Sequence, residues 1–152
     1  MNSNKIGQRG EEKAKERLLE LGFLMIEKVE NAWKVARNKG GSISRAWPAA
    51  KVAGDFRAVE PPFGRSVLVE VKHTGSRNLR WSDFSEHQPI KLSEHSAAGG
   101  LSLVAWVVNE GAVYVMRWPI DEALFRKGKS LKREDAEKSV YYHEDDERLD
   151  FS

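Results

Sequence analysis

With 152 residues, 40% of them hydrophobic and including five Trp and six Phe, the chain has apolar material for one packed core and hardly for two. The absence of cysteine excludes a disulfide scaffold, a thiolate nucleophile and thiolate-bound zinc. No apolar run approaches the roughly 18 residues of a membrane span and no basic-then-apolar leader opens the chain, so a soluble, cytoplasmic protein is expected. The net charge of +2 divides unevenly: between residues 134 and 150 eight acidic side chains face Lys138 and Arg148, leaving about −6 there and about +8 elsewhere.

From Lys5 to Leu21 small or apolar residues recur every three or four positions at Ile6, Gly10, Ala14, Leu18 and Leu21, and Gly22 stands where a helix C′ residue belongs. A first helix is predicted there. Glu11 falls on its inner stripe, three residues before Ala14, while Glu12 is turned by about 100° toward solvent. Phe23 to Val29 reads as a strand. The stretch from Asn31 to Ala53 has no clean period and is read as a long excursion from the core, a kind of segment that is usually functional or mobile. It carries Lys34, Arg37, Lys39, Arg45 and Lys51 with no acid among them, interleaved with Trp33, Trp47 and Gly40-Gly41. Basic residues on a glycine-containing element suit phosphate binding; a solvated surface loop is the plain alternative.

Gly54 to Val59 and Val67 to His73 are predicted strands joined by the turn Glu60-Pro61-Pro62-Phe63-Gly64-Arg65, together a hairpin. Ser76 to Asp83 is polar and basic. Phe84 to Ala98 is a helix with Leu92 inward, ended by Gly99-Gly100; Ser85 and Gln88 fit a capping box near its start, and Pro89 suits the first turn. Leu101 to Val108 is a nearly continuous apolar run, as in a strand buried on both faces, and returns through Asn109-Glu110-Gly111 to Ala112–Trp118 as a second hairpin. Pro119 to Arg126 is predicted as a short closing helix. The order implies a mixed α/β fold, a central mixed sheet flanked by helices. One domain is expected over residues 1–128, with 31–53 protruding, followed by an acidic tail over 129–152 that is partly ordered at most.

The chemistry concentrates in Gly54-Asp55-Phe56 and, fourteen residues after Asp55, Glu70-Val71-Lys72. Residues two apart in a strand share a face, so Glu70 and Lys72 point together while Val67, Val69 and Val71 point to the opposite layer. If the strands pair across the turn, Asp55 approaches Glu70, and two close carboxylates repel unless a divalent cation lies between them. Such a cation polarises a phosphodiester and lowers the pKa of bound water, with the lysine orienting water or offsetting developing charge. An ordinary exposed ion pair between Glu70 and Lys72 is the competing reading. His73, His87, His95 and His143 match no zinc motif, and no Walker-type or dinucleotide glycine loop is present. Trp81 and the Trp-bearing excursion have the chemistry to stack on unpaired bases at a branch point, although such aromatics more often simply pack.

Asp55, Glu70 and Lys72 resemble the D, E and K of the PD-(D/E)xK nuclease signature. Gly10-Glu11 with Ala14, Leu18 and Gly22-Phe23 is similar to the first helix of many nucleases of that superfamily. Asp83-Phe84-Ser85-Glu86-His87-Gln88, followed by Leu92 and Gly99-Gly100, resembles the segment of RecU-type Holliday junction resolvases in which a His-Gln pair opens the helix after the active-site strands. Ser42-Ile43-Ser44-Arg45-Ala46-Trp47 resembles their protruding stalk. Where the family usually has a polar stretch before the catalytic aspartate, this chain has Lys51-Val52-Ala53-Gly54.

The resemblance implies a restriction-endonuclease-like core and a magnesium-dependent endodeoxyribonuclease, Mn²⁺ substituting, that resolves four-way DNA junctions in recombination and repair as a two-fold homodimer. Glu11, Asp55 and Glu70 are then metal ligands, Lys72 the catalytic lysine, and Gln88 an accessory residue or only a helix cap. Arg37, Lys39, Arg45, Lys51, Arg77 and Arg80 are the expected phosphate contacts. Two rivals stand beside this expectation: a restriction-like or repair nuclease acting on linear or damaged DNA, and a DNA-binding module of the same fold without catalysis.

Overall fold

A computed structural model of the chain describes residues 3–29, 33–48, 54–109 and 111–141. Helix α1 (Ser3–Glu20) buries Ala14 and Leu18 and stops where the sequence requires. Gly22 takes φ 90°, its N–H bonds Leu19 O, and Phe23 N bonds Leu18 O, a Schellman close in which Phe23 and Leu18 enter the same core cluster.

Strand β1 (Leu24–Lys28) follows, and the expected irregular excursion is corrected by the structure: it is an antiparallel ribbon of β2 (Trp33–Arg37) and β3 (Ile43–Pro48). The ribbon forms its own two-stranded sheet, and residues 43–46 of β3 are exposed, so along that stretch no buried face imposes the alternation by which strands are recognised. Ser44 is an extra residue between the pairs Ala36↔Arg45 and Arg37↔Ile43, and its hydroxyl bonds Ala36 O at 3.1 Å.

The expected hairpin is present as β4 (Phe56–Glu60) and β5 (Arg65–His73). After β6 (Leu79–Arg80) and a 3-10 turn (Trp81–Asp83), α2 (His87–Ala97) crosses over to β7 (Leu101–Val107), which pairs parallel with β5, and β8 (Val113–Arg117) closes the second hairpin. The five-stranded order is β1-β4-β5-β7-β8, a mixed sheet. All of β7 is buried, matching its unbroken apolar run. One face packs Val67, Val69 and Phe56 against α1; the other packs Leu68, Val104 and Trp106 against Leu92 of α2 and the aromatics Phe84, Trp118 and Phe125. No helix among the described residues is long and apolar enough to cross a membrane.

Two expectations near the C-terminus are corrected. Residues 119–126 do not form a helix: Asp121 Oδ1 accepts the Ala123 N–H at 3.0 Å, Leu124 and Phe125 close one turn on Asp121 O, and Lys129 N then turns back on Arg126 O. A side chain bonding its own backbone, in a segment long enough for barely two turns, outcompetes helix propagation. The stretch after residue 128 is also not merely tail. β9 (Ser130–Leu131) pairs with β6, α3 (Arg133–Lys138) buries Ala136, Val140 bridges Met116, and Tyr141 stacks on Phe23 with its hydroxyl donating to Glu60 Oε2 at 2.6 Å. The acidic residues beyond, 142–152, lie outside the described residues, as does Lys51.

Candidate active site

Asp55 sits one residue before β4, where its backbone is tied from both sides: its N–H bonds Val69 O at 2.7 Å and its carbonyl accepts Val29 N–H at 2.9 Å. Gly54 makes this possible. At φ 77° a Cβ there would lie 2.5 Å from Leu68 Cδ1 and 3.2 Å from Val69 O, so only glycine lets the chain enter the sheet so close to β5. The pairing Phe56↔Val69 then carries Asp55 to the level of Glu70, and Asp55 Oδ2 accepts the Val71 N–H at 2.7 Å.

Glu70 and Lys72 project to the α2 face, as period two requires, while Val67 and Val69 join the α1 core. Glu70 is 4% exposed. Burial first, and the neighbouring Asp55 charge second, push its carboxyl up to about 8, with Lys72 acting in the opposite direction. Lys72 Nζ lies 3.6 Å from Glu70 Oε1 and 4.9 Å from the centre of the Phe84 ring.

Gln88 ties these groups together. Its Nε2 donates to Glu70 Oε1 at 2.8 Å, and its Oε1 accepts from Lys72 Nζ and from the Ser85 N–H, each at 2.9 Å. Only half of the expected capping box forms: Gln88 Oε1 accepts the Ser85 N–H, but Gln88 N–H bonds the Ser85 carbonyl and the Ser85 hydroxyl goes to His87, while the Gln88 amide reaches two strand residues at the same time. The RecU-type resemblance pointed to Gln88, and the spacing from Ser85 only to a helix cap; Phe84 was missed, because its ring beside Lys72 leaves no trace in residue order.

Glu11 is half-buried on α1 and its Oε2 pairs with Lys28 Nζ at 3.1 Å. Lys28 stands opposite Phe56, so this pair borders the strand end that carries Asp55. Among the described residues no group of three or more His, Cys, Asp or Glu converges on one point. Asp55 and Glu70 are the two carboxylates brought together. They are hard oxygen donors, and once Glu70 gives up its proton they carry more negative charge than one ammonium offsets, which fits a hard dication such as Mg²⁺.

The expected phosphate contacts divide. Arg37, Lys39 and Arg45 are exposed on the ribbon, with Arg37 Nη1 bonding Gly41 O at 2.9 Å. Arg77 forms a bidentate pair with Asp83 at 2.8 and 2.6 Å, and the Arg80 N–H bonds the same carboxylate, so Arg77 braces the 3-10 turn. Trp81 packs against Phe84, Trp118 and Phe125 at ring separations of 5.3–6.5 Å. His95 lies between the hydroxyls of Ser66 and Ser102, His87 bonds Ser85, and His73 packs at Gly10.

No protein-family model matches this sequence, and no curated protein matches it either. Among solved structures, Hjc of Archaeoglobus fulgidus, a Holliday junction resolvase from an archaeal hyperthermophile, superposes with a TM-score of 0.56 over 88% of this chain and 93% of that one, at 17% identity. The likeness shows the fold: a central mixed sheet flanked by helices, as in that resolvase.

Proposed function

We propose that this chain is a magnesium-dependent DNA endonuclease of the PD-(D/E)xK kind that resolves branched DNA. One observation carries the proposal: Asp55 and Glu70, distant in sequence, meet beside the half-buried Lys72 in a site that burial makes hostile to two negative charges. The resolvase-like fold and the RecU-type resemblance of residues 42–47 and 83–88 support the junction as substrate.

Asp55 and Glu70 would hold the metal, with Glu11 joining them once released from Lys28. Mg²⁺, or Mn²⁺ in its place, supplies a Lewis acid for the phosphodiester and acidifies a water. Lys72, held on Gln88, places its ammonium where charge develops at phosphorus or where the attacking water is oriented. Gln88 keeps Glu70 and Lys72 at fixed spacing, so no reorganisation is needed when substrate arrives. Arg37, Lys39 and Arg45 on the ribbon, with Lys51 and Arg80, would neutralise junction phosphates. Two symmetric cuts at a four-way junction require two sites, hence a two-fold homodimer working on cytoplasmic DNA.

The test is cleavage of a synthetic four-way junction beside a flap and a linear duplex, with Mg²⁺, Mn²⁺ or chelator, and sedimentation for the oligomeric state. Metal-dependent cutting of the junction in preference to the duplex, lost in Asp55→Asn with DNA binding retained, is expected. Preferential cutting of linear duplex would reassign the substrate, and tight binding without cleavage in any metal would leave a binding module.

A further inference from the structure

Two clefts on the outer side of α2 share Trp81, Pro89 and Ile90 as walls. One, of about 670 Å³, opens between the 3-10 turn and residues 127–130. Arg80, Lys127 and Lys129 line it with serine hydroxyls, and Glu86 is its single acid. The other, of about 470 Å³, is walled by Trp118, Ile120 and Phe125, with Glu94, Glu122 and Arg126 also in its lining. Ile90, in the shared wall, is a large apolar side chain left 56% exposed.

The basic cleft begins where the candidate active site ends. Phe84 and Ser85 line it, and these are the residues that lend a ring to Lys72 and a backbone N–H to Gln88. Lys127 and Lys129 are both exposed, and Lys129 Nζ donates to the Ala123 carbonyl. Cations next to aromatic and aliphatic walls match a polyanion whose units also carry flat apolar faces. A base paired and stacked within a duplex has no face to bury, whereas an unpaired base does.

Building on the endonuclease reading, we propose that the joined clefts hold an unpaired DNA segment next to the cleaved phosphate, Arg80, Lys127 and Lys129 on its phosphates and Trp81 and Ile90 against a base. Sequence reading assigned Lys127 and Lys129 no role, because they lie far from the signature and only the fold brings them beside it. Selectivity for DNA that opens base pairs at the branch point then has a source in the nuclease core itself, separate from the ribbon.

The experiment measures binding of the full chain, in chelator, to a labelled 12-nucleotide single strand and to a blunt duplex of the same sequence, by fluorescence anisotropy over a salt series. The variants are Lys127→Ala with Lys129→Ala, Lys127→Gln with Lys129→Gln, and Ile90→Asp, all at exposed positions, with melting curves checking the fold. Each should weaken single-strand binding about tenfold or more while duplex binding changes far less. The lysine pairs should flatten the salt slope by about 1.4, or roughly 0.7 for each lost phosphate contact on a single strand. Unchanged single-strand affinity and slope, or an equal loss for duplex, would overturn the proposal. So would an Ile90→Asp chain that sediments as a smaller species while binding normally, which would mark the cleft as a contact between copies. If the wild type cuts the junction yet the variants bind as it does, this inference fails alone; a wild type that neither binds nor cuts DNA removes the endonuclease reading as well.

Discussion

Gln88 Nε2 donates a 2.8 Å hydrogen bond to Glu70 Oε1, joining the first turn of α2 to the middle of β5. A primary amide suits this position because it offers a donor to the acid and an acceptor to Lys72 in one rigid plane. Gln88→Ala should lower stability by about 1–3 kcal/mol, the cost of leaving buried polar partners unsatisfied. Mg²⁺ or Mn²⁺ affinity should fall roughly 10–100-fold, as when a ligand loses the group that orients it. Isothermal titration and thermal melting check both; unaltered metal affinity would reduce Gln88 to a helix cap.

Lys72→Ala should lower junction cleavage by about 100-fold or more, the scale of removing one charged group aimed at a developing anion. Its Nζ is engaged by Gln88, Glu70 and the Phe84 ring, none of which belongs to the ribbon proposed to carry the phosphate contacts, so junction affinity measured in chelator should stay within a few-fold of wild type. A parallel collapse of binding would place Lys72 in substrate capture instead.

Glu70 gives a pH dependence with a definite sign. Its carboxyl is held up to about 8 when folded, against 4.5 ordinarily, so across that interval the folded chain binds the proton more tightly than the unfolded one. Stability without metal should therefore be greatest at low pH, as far as this group is concerned, and decline as pH rises through about 8. Glu70→Gln removes the burden. In chelator at pH 8.5 it should melt about 2–8 °C higher than wild type, the shift that about 1–2 kcal/mol produces in a domain of this size, with little difference at pH 5. The same variant should lose cleavage, and wild-type metal affinity should climb with pH, because binding expels the Glu70 proton. Equal melting of the two proteins at high pH would contradict the burial of this charge.

Gly54→Ala tests the entry of the chain into the sheet. At φ 77°, with Leu68 Cδ1 2.5 Å from the added carbon and the Val69 carbonyl at 3.2 Å, the backbone has to retreat from β5 and take Asp55 with it. A loss of about 1–3 kcal/mol is expected, as for a residue forced into a sparsely populated conformation. Cleavage should fall further than that destabilisation explains when measured well below the melting temperature. A chain as stable and as active as wild type would show that β4 has slack.

The parts of the fold that were legible are those where burial writes itself into residue order. Leu101 to Val107 reads as a strand because both of its faces are covered, and Glu70 and Lys72 declare their shared face because β5 keeps period two over nine residues. The β2–β3 ribbon stands outside the five-stranded sheet, and where residues 43–46 of β3 are exposed no burial writes an alternation into the sequence. Leu131 and Ala136 are single apolar residues in a charged stretch and Val140-Tyr141 is a short pair, and what buries them comes from Leu79, Met116 and Phe23, remote in the chain. Within the candidate site, Asp55, Glu70 and Lys72 were legible by spacing. The Glu11 pairing with Lys28 was not, since it depends on how α1 lies over β1.

Strands β1 and β4 are antiparallel neighbours whose ends are already stitched by Val29 N to Asp55 O, and the ribbon is simply what the chain does between them. Its roots are therefore held by the sheet whatever its length. Lengthening it, shortening it, or exchanging it for a tight turn costs chiefly loop-closure entropy, which grows only as the logarithm of loop size. The reach of the ribbon and the placement of Asp55 are thus separable properties of the scaffold, open to independent tuning by insertion or deletion at one place in the sequence.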